Sequence, residues 1–364
     1  MLSLAGRLCR TLSCWKKKKA LKEEEVMLSS ASTSGLFCAR AVHPYDRFIN
    51  LDKTNSINLS VSFLDPLGTM VLTSCNGLLL CARESNGFIR EFYVCDPTSQ
   101  DFVTVPTPQN FVCEAYDMCT ALVIFPSYNG WTTFSVNGLH KNTPTFQIIS
   151  FNLDCSGEEL YRYSFKVYSS KTQEWKPVKK TSIELYARRG TRHHGGVYNQ
   201  RAVHWMAKSD MDSYILSFNL STQTARKMLV PGFEGKKCTD WFGECNGFLY
   251  IVRVVDAKLE IWKLEDYLND IWVRNHCSVF PCKFRPVGFD GNRVVFTPSS
   301  SDRVVLFSYK KEPPTFDIVN EDEEEPMTEE SRPTRQPWFV PYTLGTDQQM
   351  DDEWIMVREP HYCD

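Results

Sequence analysis

Long apolar runs are scarce in this chain of 364 residues. No stretch approaches the roughly 20 consecutive apolar residues that a helix needs to cross a bilayer. Residues 50–318 also lack a sustained hydrophobic stripe with the 3.6-residue period of an amphipathic helix. The sequence therefore predicts no membrane partner and a main body without helices, and it allows a helix only in residues 1–30.

Paired cysteines of the metal-binding and redox kinds are missing as well. The chain has fourteen cysteines, but none of them stands in a C-x-x-C pair. Cys75, Cys81, Cys95 and Cys245 lie in apolar segments, where a reduced thiol behaves as a small hydrophobic side chain. This pattern predicts reduced thiols, a cytoplasmic or nuclear location, and neither a metal nor a cofactor.

Catalytic signatures are equally scarce. The sequence contains no serine nucleophile elbow, no Gly-rich phosphate loop and no H-E-x-x-H motif. Its 41 basic and 44 acidic side chains leave a formal net charge of −3, so the composition predicts no attraction to nucleic acid. Acidic residues such as Asp96 and Asp266 stand in polar turns, where Asp bonds to the local backbone. We predict no catalytic residue.

Two histidine features need an interpretation of their own. His193 and His194 stand side by side, but neighbouring residues of a strand point to opposite faces and bind one ion only if the chain bends. We interpret this pair as part of a turn or strand edge rather than as a metal site. His204, in the segment VHWM (203–206), is predicted to be a packed core residue rather than a catalytic base.

The chain does contain a recurring phrase of two apolar segments joined by a polar turn rich in Gly and Asn. The phrase occurs as SCNGLLLCA (74–82), HHGGVYNQRAVHWMA (193–207), ECNGFLYIVRVV (244–255) and VGFDGNRVVFTP (287–298). Further polar turns begin at residues 96, 169, 219, 265 and 310, which gives spacings of 73, 50, 46 and 45 residues. Three of these spacings match the roughly 40–50 residues of a four-stranded propeller blade. We predict an all-β chain that forms a single β-propeller of about six blades, closed by strands near residues 47–63.

Aromatic residues fall into two groups. The first group recurs within the units and is expected to pack between blades; its members are Trp175, Trp205, Trp262 and Trp272. Tyr128, Trp131 and Phe134 lie instead in a polar insertion at residues 126–145, which accounts for the 73-residue spacing. Aromatic side chains at a loop tip can anchor a protein interface, so these three are a candidate partner site. The alternative is a plug that folds back over the propeller.

A second candidate partner site is the basic segment ARRGTRHH (187–194), which contains Arg188, Arg189 and Arg192. Such a cluster can meet an acidic partner or the acidic residues 321–330 of the chain itself. The alternative is an ordinary solvated loop.

The two ends of the chain differ from the repeated body. Residues 1–35 carry a run of lysines and two arginines, which allows a transit peptide or a nuclear import signal, but a mobile segment with a solvated helix face is the prediction. Residues 320–330 hold seven acids and no base, so the tail 319–364 is predicted to be largely disordered. Its apolar patches at 338–344 and 353–357 can complete a terminal blade or dock elsewhere. The propeller is therefore placed at residues 36–318.

Several phrases stand in an order that is specific to one family. They are SCNGLLLC (74–81), YVCDPTSQDFVTVP (93–106), FKVYSSKTQEWKPV (165–178), GGVYNQRAVHWMA (195–207), ILSFNLSTQTARKMLVP (215–231) and LEIWKLEDYLNDIWVR (259–274). In this order they resemble the F-box-associated, kelch-like propeller domain of plant F-box proteins. The resemblance implies a non-enzymatic module that captures a target protein for ubiquitination, like the substrate receptor of a Skp–cullin–F-box ligase. The target is not indicated.

The resemblance does not extend to the start of the chain. Members of this family carry an F-box, a helical module that binds a Skp-type adaptor, whereas residues 1–40 contain no Leu-Pro pair and no helix-period run of Leu or Ile. We therefore expect target recognition without adaptor binding by this chain. The alternatives are a propeller-fold hydrolase, and an F-box-less adaptor or truncated gene product without a ligase role.

Overall fold

The described part of the chain, a computed structural model, consists of β-strands and their connections. It comprises residues 34–39, 47–51, 59–64, 69–85, 88–109, 119–125, 145–155, 160–178, 185–188, 191–209, 213–231, 239–280, 283–298, 303–319 and 338–342. These stretches contain no α-helix, and hence no helix that could span a membrane. The predicted all-β class is confirmed, while the helix allowed at residues 1–30 lies outside the described residues.

Twenty-four strands form six sheets in the described residues, and each sheet is one blade. Blade 1 consists of β1 (Gly35–Ala39), β2 (Arg47–Asn50) and β24 (Trp338–Tyr342). Blade 2 consists of β3 (Thr69–Cys75), β4 (Leu78–Ser85), β5 (Phe88–Asp96) and β6 (Asp101–Pro106). Blade 3 consists of β7 (Thr120–Phe125), β8 (Thr145–Cys155), β9 (Leu160–Ser169), β10 (Glu174–Pro177) and β11 (Tyr186–Arg188). Blade 4 consists of β12 (Arg192–Asn199), β13 (Ala202–Lys208), β14 (Ser213–Asn219) and β15 (Thr224–Leu229). Blade 5 consists of β16 (Thr239–Cys245), β17 (Phe248–Val255), β18 (Lys258–Asp266) and β19 (Ile271–Val279). Blade 6 consists of β20 (Phe284–Phe289), β21 (Val294–Pro298), β22 (Val305–Ser308) and β23 (Thr315–Ile318).

The recurring phrase of the sequence is a tight β-hairpin. Asn76 and Gly77 have φ values of 47° and 80°, and Asn246 and Gly247 have φ values of 51° and 78°. Positive φ at both central residues is the mark of a type I′ turn, whose twist matches that of the flanking strands. Asn and Gly adopt this conformation at low cost. The hairpins predicted at these two phrases are thus explained by local turn chemistry.

A second type of turn joins the third and fourth strands of the blades and produces the spacing seen in the sequence. Asp96 Oδ1 accepts hydrogen bonds from the backbone N–H groups of Thr98 and Ser99, at 2.8 and 3.4 Å. Asn219 and Asp266 make the same pair of contacts in their own blades. The last residue of each turn has positive φ, as seen for Gln100, Gln173, Gln223 and Asp270. Equivalent turns in successive blades confirm the predicted period.

Strands from distant parts of the chain close the ring. The innermost strand of each blade contacts the innermost strands of its neighbours, and in blade 1 this strand is β24, between β20 and β3. β1 pairs with the outer side of β24, and β2 pairs with β1. Ring closure near residues 47–63 is confirmed for β2, whereas residues 59–64 form no strand. The patch at 338–344 supplies β24, so a blade strand lies beyond the boundary predicted at residue 318, and the rest of 320–364 lies outside the described residues.

Strand direction gives the propeller two different faces, because neighbouring strands are antiparallel and the innermost strands all run the same way. The hairpin face carries the turns between first and second strands and between third and fourth strands, such as 76–77 and 97–100. The crossover face carries the turns between second and third strands and the connections from one blade to the next. Residues 256–257 and Thr191 belong to this face.

Two tryptophans at equivalent positions connect neighbouring blades. Trp175 and Trp272 are each the second residue of the fourth strand of their blade. Trp175 Nε1 donates to the Pro106 carbonyl oxygen of the preceding blade at 2.7 Å, and Trp272 Nε1 donates to that of Leu229 at 3.0 Å. The predicted inter-blade role of both residues is confirmed.

The other two tryptophans pack between blades from different positions. Trp205 of β13 is fully buried, and its ring meets that of Phe151 in blade 3 edge to face, with ring centroids 5.3 Å apart. Trp262 of β18 packs on a cluster that includes the buried Met206 of blade 4. Their inter-blade role is confirmed, although they occupy second and third strands rather than one equivalent place.

Candidate functional site

Innermost strands of blades 2 and 4 are in direct contact near the propeller axis. Thr73 Oγ1 of β3 donates a hydrogen bond of 3.1 Å to the carbonyl oxygen of Gly196 in β12, although β7 lies between these strands in the ring. A Cβ atom on Gly196 would lie 2.2 Å from the Cβ atom of Ala121, so any side chain there would force the strands apart. The innermost strands β3, β7 and β12 therefore pack closely against one another at the level of Thr73.

The thiols next to the hairpin face are poor nucleophiles. Burial raises the pKa of the Cys75 thiol to about 11, and burial together with the nearby Glu244 carboxylate raises the pKa of the Cys245 thiol to about 12. Both thiols are therefore protonated at neutral pH, whereas a nucleophilic cysteine needs a thiolate. The Sγ atoms of Cys81 and Cys95 are in contact at 3.8 Å, and none of these four cysteines forms a disulfide.

The two described histidine side chains of blade 4 are structural. His204 is fully buried, with Nε2 3.3 Å from the Asn199 carbonyl oxygen, and burial lowers the pKa of its imidazole to about 4. The predicted core role of His204 is confirmed. His193 is also buried, with Nε2 2.7 Å from Tyr163 Oη, which lies 2.6 Å from Tyr214 Oη. This hydrogen-bonded chain joins blades 3 and 4.

Carboxylates on the hairpin face serve the turns and the contacts between blades. Asp290 Oδ1 accepts from the backbone N–H groups of Asn292 and Arg293, at 2.9 and 2.6 Å. Asp270 Oδ1 accepts from Arg226 Nη1 of the preceding blade at 2.8 Å. In the residues that the structure describes, no group of three or more His, Cys, Asp or Glu side chains could hold a metal ion.

Arg188 and Arg192, two of the residues predicted to contact a partner, flank a tight turn on the crossover face. Arg188 ends β11, and Arg192 begins the innermost strand β12. The backbone N–H and the hydroxyl of Thr191 both donate to the Arg188 carbonyl oxygen, at 3.1 and 2.8 Å. Both arginine side chains are exposed, and no ion pair in the described part of the chain involves either of them. The turn thus presents two positive charges to solvent.

Strand pairing adds a third arginine that the sequence did not single out. Arg188 lies opposite Leu160 in the β11–β9 pairing, and Tyr186 lies opposite Arg162. Because residues two apart in a strand share a face, Arg162 and Arg188 are diagonal neighbours, roughly 7–8 Å apart, on one face of the sheet. Arg162 is exposed as well. Only the register shows this proximity, since 26 positions separate the two residues in the sequence.

A buried ionic network continues from this point into blade 5. Arg192 stands opposite Lys208, whose Nζ lies 2.7 Å from Asp240 Oδ2. Asp240 Oδ1 lies 3.2 Å from Nε of Arg253, a residue that is 1% exposed. Arg253 Nη1 also donates to the Pro231 carbonyl oxygen at 2.7 Å. The network joins the crossover ends of blades 4 and 5.

The structure separates the two predicted partner sites. Tyr128, Trp131, Phe134 and Arg189 lie outside the described residues. The insertion that holds the three aromatic residues is attached at the end of β7 and the start of β8, which is on the hairpin face. Arg188 and Arg192 lie on the crossover face, so these two candidate sites are attached to opposite sides of the propeller.

An aromatic cleft of about 580 Å³ lies between blades 5 and 6. Tyr250, Phe289 and Tyr309 line it, with His276 and Lys310 at its side. Burial raises the pKa of the Tyr250 and Tyr309 hydroxyls to about 12, so neither is an acid or base near neutral pH. The cleft offers apolar ring faces together with the Lys310 ammonium group and the Glu312 carboxylate, and the sequence phrases did not predict it.

Comparison with known proteins assigns these features to a family. The model of the F-box associated beta propeller domain matches residues 42–280, more than half of the chain. An F-box protein of Arabidopsis thaliana is 19% identical over 258 residues, which cover 70% of this chain and 65% of that protein. The chain therefore spans less than two thirds of the length of this relative.

Similar solved structures have low sequence identity. The nidogen/laminin complex is 10% identical, with 85% of this chain and 98% of that chain covered and a TM-score of 0.47. TolB from Acinetobacter baumannii is 12% identical, with 85% and 67% covered and a TM-score of 0.45. An oligogalacturonate lyase in complex with manganese is 12% identical, with 78% and 73% covered and a TM-score of 0.44. All three TM-scores are below 0.5, so these structures support no conclusion about function.

Proposed function

The chain belongs to the F-box associated β-propeller family, and on that basis we propose that it is a non-catalytic protein-recognition module of the substrate-receptor type. The observation that carries the proposal is the family match over residues 42–280. That stretch runs from the ring-closing strand β2 to the end of blade 5. The match thus covers most of the blades, which supports the proposal that the propeller is the recognition module.

The chemistry of the described residues supports recognition rather than catalysis. Burial keeps the thiols of Cys75 and Cys245 protonated and the imidazole of His204 neutral near pH 7. The contact between Thr73 and Gly196 packs the innermost strands of blades 2 and 4 closely together. Exposed charge is found instead on the rims, where a macromolecule can reach it.

We further propose that the captured target is presented to a Skp–cullin ubiquitin ligase in the cytoplasm or nucleus. The Arabidopsis relative is named as an F-box protein, which supports this extension. Reduced thiols at Cys75, Cys81, Cys95 and Cys245 suit a reducing compartment. Recognition and adaptor binding are separable, because a propeller can hold a target whether or not an adaptor is bound.

Direct binding of a purified target tests the recognition role. Proximity labelling with the full chain as bait identifies candidates, with an unrelated six-bladed propeller as the control bait. Each enriched protein is then purified, and its affinity for the purified chain is measured by calorimetry. We expect at least one direct complex with a Kd of roughly 10 μM or tighter. If no enriched protein binds the purified chain, the recognition role is wrong.

Reconstitution tests the ligase extension and the hydrolase alternative. The chain and its target are mixed with a Skp-type adaptor, a cullin and the ubiquitin-transfer enzymes, and ubiquitin on the target is measured. Target binding without adaptor binding or ubiquitin transfer retains the recognition role and rejects the ligase extension. Turnover of a glycoside panel by the purified chain would reject the non-catalytic assignment.

A further inference from the structure

We propose that the basic ridge formed by Arg162, Arg188 and Arg192 is the target-binding surface and that it binds an acidic, Asp/Glu-rich peptide segment of the target. The ridge lies where the crossover ends of blades 3 and 4 meet. The inference rests on the proposed recognition function and adds to it the place of binding and the chemistry of the partner.

The three guanidinium groups are available for binding. All three side chains are exposed, and none takes part in an ion pair within the described stretches. A guanidinium group offers five N–H donors in a planar fork that matches a carboxylate in bidentate geometry. Pairing with a partner therefore requires no internal ion pair to be broken.

Backbone contacts hold the ridge in place. The turn between Arg188 and Arg192 is closed by two hydrogen bonds from Thr191 to the Arg188 carbonyl oxygen. Arg162 is held on the same sheet face by the pairing of β11 with β9. A surface whose backbone is fixed before binding loses less conformational entropy on complex formation.

Local charge balance favours an anionic partner. Arg192 stands directly opposite Lys208, and like charges in that arrangement destabilise a strand pair. Lys208 has the Asp240 carboxylate beside it, whereas Arg192 has no counter-ion in the described stretches. The exposed Asp154 stands opposite Arg162 and is the acid that strand pairing places beside the ridge. Among the residues that the structure describes, three arginines stand against this one carboxylate, which makes the ridge itself positively charged.

The hairpin face is of mixed charge, because its turns carry carboxylates such as Asp96, Asp266 and Asp290 together with exposed basic residues. Electrostatic complementarity therefore directs an acidic segment to the crossover face. A short row of three arginines also fits a peptide better than a nucleic acid, whose binding usually requires an extended basic track. The net charge of −3 for the whole chain agrees with this choice.

Fluorescence anisotropy with the full chain tests the inference. The probe is a labelled twelve-residue peptide of alternating Glu and Asp, and the matched peptide has Gln and Asn at the same positions. We expect the charge-reversal variant R162E/R188E/R192E to bind the acidic probe at least tenfold more weakly than the wild type. We also expect binding to weaken as salt is raised from about 50 to 300 mM, since exposed ion pairs are screened.

A matched variant on the other face serves as the control. Lys171, Arg201 and Lys311 are exposed basic residues on the hairpin face. The variant K171E/R201E/K311E makes the same change in net charge and should keep the wild-type affinity. Equal loss in both triple variants would show a general charge effect and overturn the inference. The milder R162Q/R188Q/R192Q variant repeats the measurement if charge reversal lowers the melting temperature.

Other probes separate the acidic peptide from other anions. Equal binding of the Gln/Asn peptide, or tighter binding of single-stranded RNA or of vesicles with anionic lipids, would reject the assigned partner chemistry. The variant E323Q/E324Q/E325Q removes charge from the acidic run 320–330 of the chain itself. If the probe binds only to this variant, the acidic run 320–330 competes with it for the ridge. That outcome would overturn the proposal that the ridge binds a segment of another protein.

The target found by proximity labelling separates the two proposals. If that target binds the wild type and the hairpin-face control but not R162E/R188E/R192E, both proposals hold. If it binds all three proteins equally, the recognition function holds and the ridge is not its site. If no direct target is found, the recognition function is rejected, whether or not the acidic peptide binds.

Discussion

At the scale of single residues, burial decides which chemistry a side chain retains. His204, Cys75 and Cys245 are residue types common in active sites, but burial favours their neutral forms. Arg188 and Arg192 are ordinary surface residue types, yet they keep full charge and free donors. Residue type alone would therefore have pointed to the histidine and the cysteines as functional groups, whereas burial leaves the arginines as the groups that can bind a partner.

The neutral state of His204 gives a residue-scale prediction about pH. Its folded-state pKa of about 4 lies below the ordinary value of 6.5, so the unfolded chain takes up a proton first as the pH falls. The stabilisation is fully present above pH 6.5 and is lost between pH 6.5 and pH 4, with a loss of about 2 kcal/mol by pH 5. Urea unfolding at pH 7.5 and pH 5.0 measures this loss. The H204Q variant, which does not titrate in this range, should lose correspondingly less stability; an unchanged pH dependence would contradict the assignment.

At the scale of elements, turn chemistry explains both the hairpins and their exceptions. Asn246 and Gly247 suit the positive φ values of a type I′ turn. Asp256 and Ala257 adopt the same geometry, with φ values of 49° and 56°, although Ala has a Cβ atom that disfavours it. The turn at 256–257 is therefore imposed by the strands on either side rather than by its own residues.

Opposite substitutions in these two turns should have opposite effects. G247A places a Cβ atom at a φ of 78° and should lower the free energy of unfolding by about 1 kcal/mol. A257G removes a Cβ atom at a φ of 56° and should raise that free energy by roughly 0.5–1 kcal/mol. The midpoint of urea unfolding, at an unchanged slope, measures both. A destabilising A257G would show that the left-handed conformation at this residue is not strained.

At the scale of the whole molecule, the ring depends on a strand from the far end of the chain. β24 places Val340 and Tyr342 in the interior, where they are 4% and 0% exposed. Tyr342 Oη donates to the Gly77 carbonyl oxygen of blade 2 at 3.0 Å, which ties the closing strand to its neighbour. Without this strand, β1 would lose its pairing partner, and the innermost strands β3 and β20 would lose the strand that packs between them.

Truncation tests this closure. A chain that ends at Val319 lacks β24 and should lose most of its stability, because burial of Val340 and Tyr342 alone contributes several kcal/mol. The free energy of unfolding of a native protein is about 5–15 kcal/mol, so a loss of this size would remove much of it. A chain that ends at Leu344 keeps β24 and should unfold cooperatively with a melting temperature close to that of the full chain. A stable, cooperative 319-residue protein would show that β24 is dispensable.

The sequence by itself determined the features that depend on neighbouring residues. The turns that begin at 96, 169 and 219 and the hairpins at Asn76-Gly77 and Asn246-Gly247 were predictable, because Asp, Asn and Gly set the backbone within a few positions. Their spacing was enough to predict an all-β propeller of about six blades. The core role of His204 was predicted from the resemblance of VHWM (203–206) to a strand phrase of the family, and its burial confirms it.

Only the tertiary structure decided which distant residues meet. Insertion of β24 between β20 and β3, the diagonal pairing of Arg162 with Arg188, and the cleft between blades 5 and 6 depend on strand register and ring closure. These are cooperative properties of the whole ring, and residues close in sequence carry no signal for them. The recurring phrases therefore predicted the blades, whereas strand pairing placed the basic ridge on one face and the strand ends that flank the 126–145 insertion, Phe125 and Thr145, on the other.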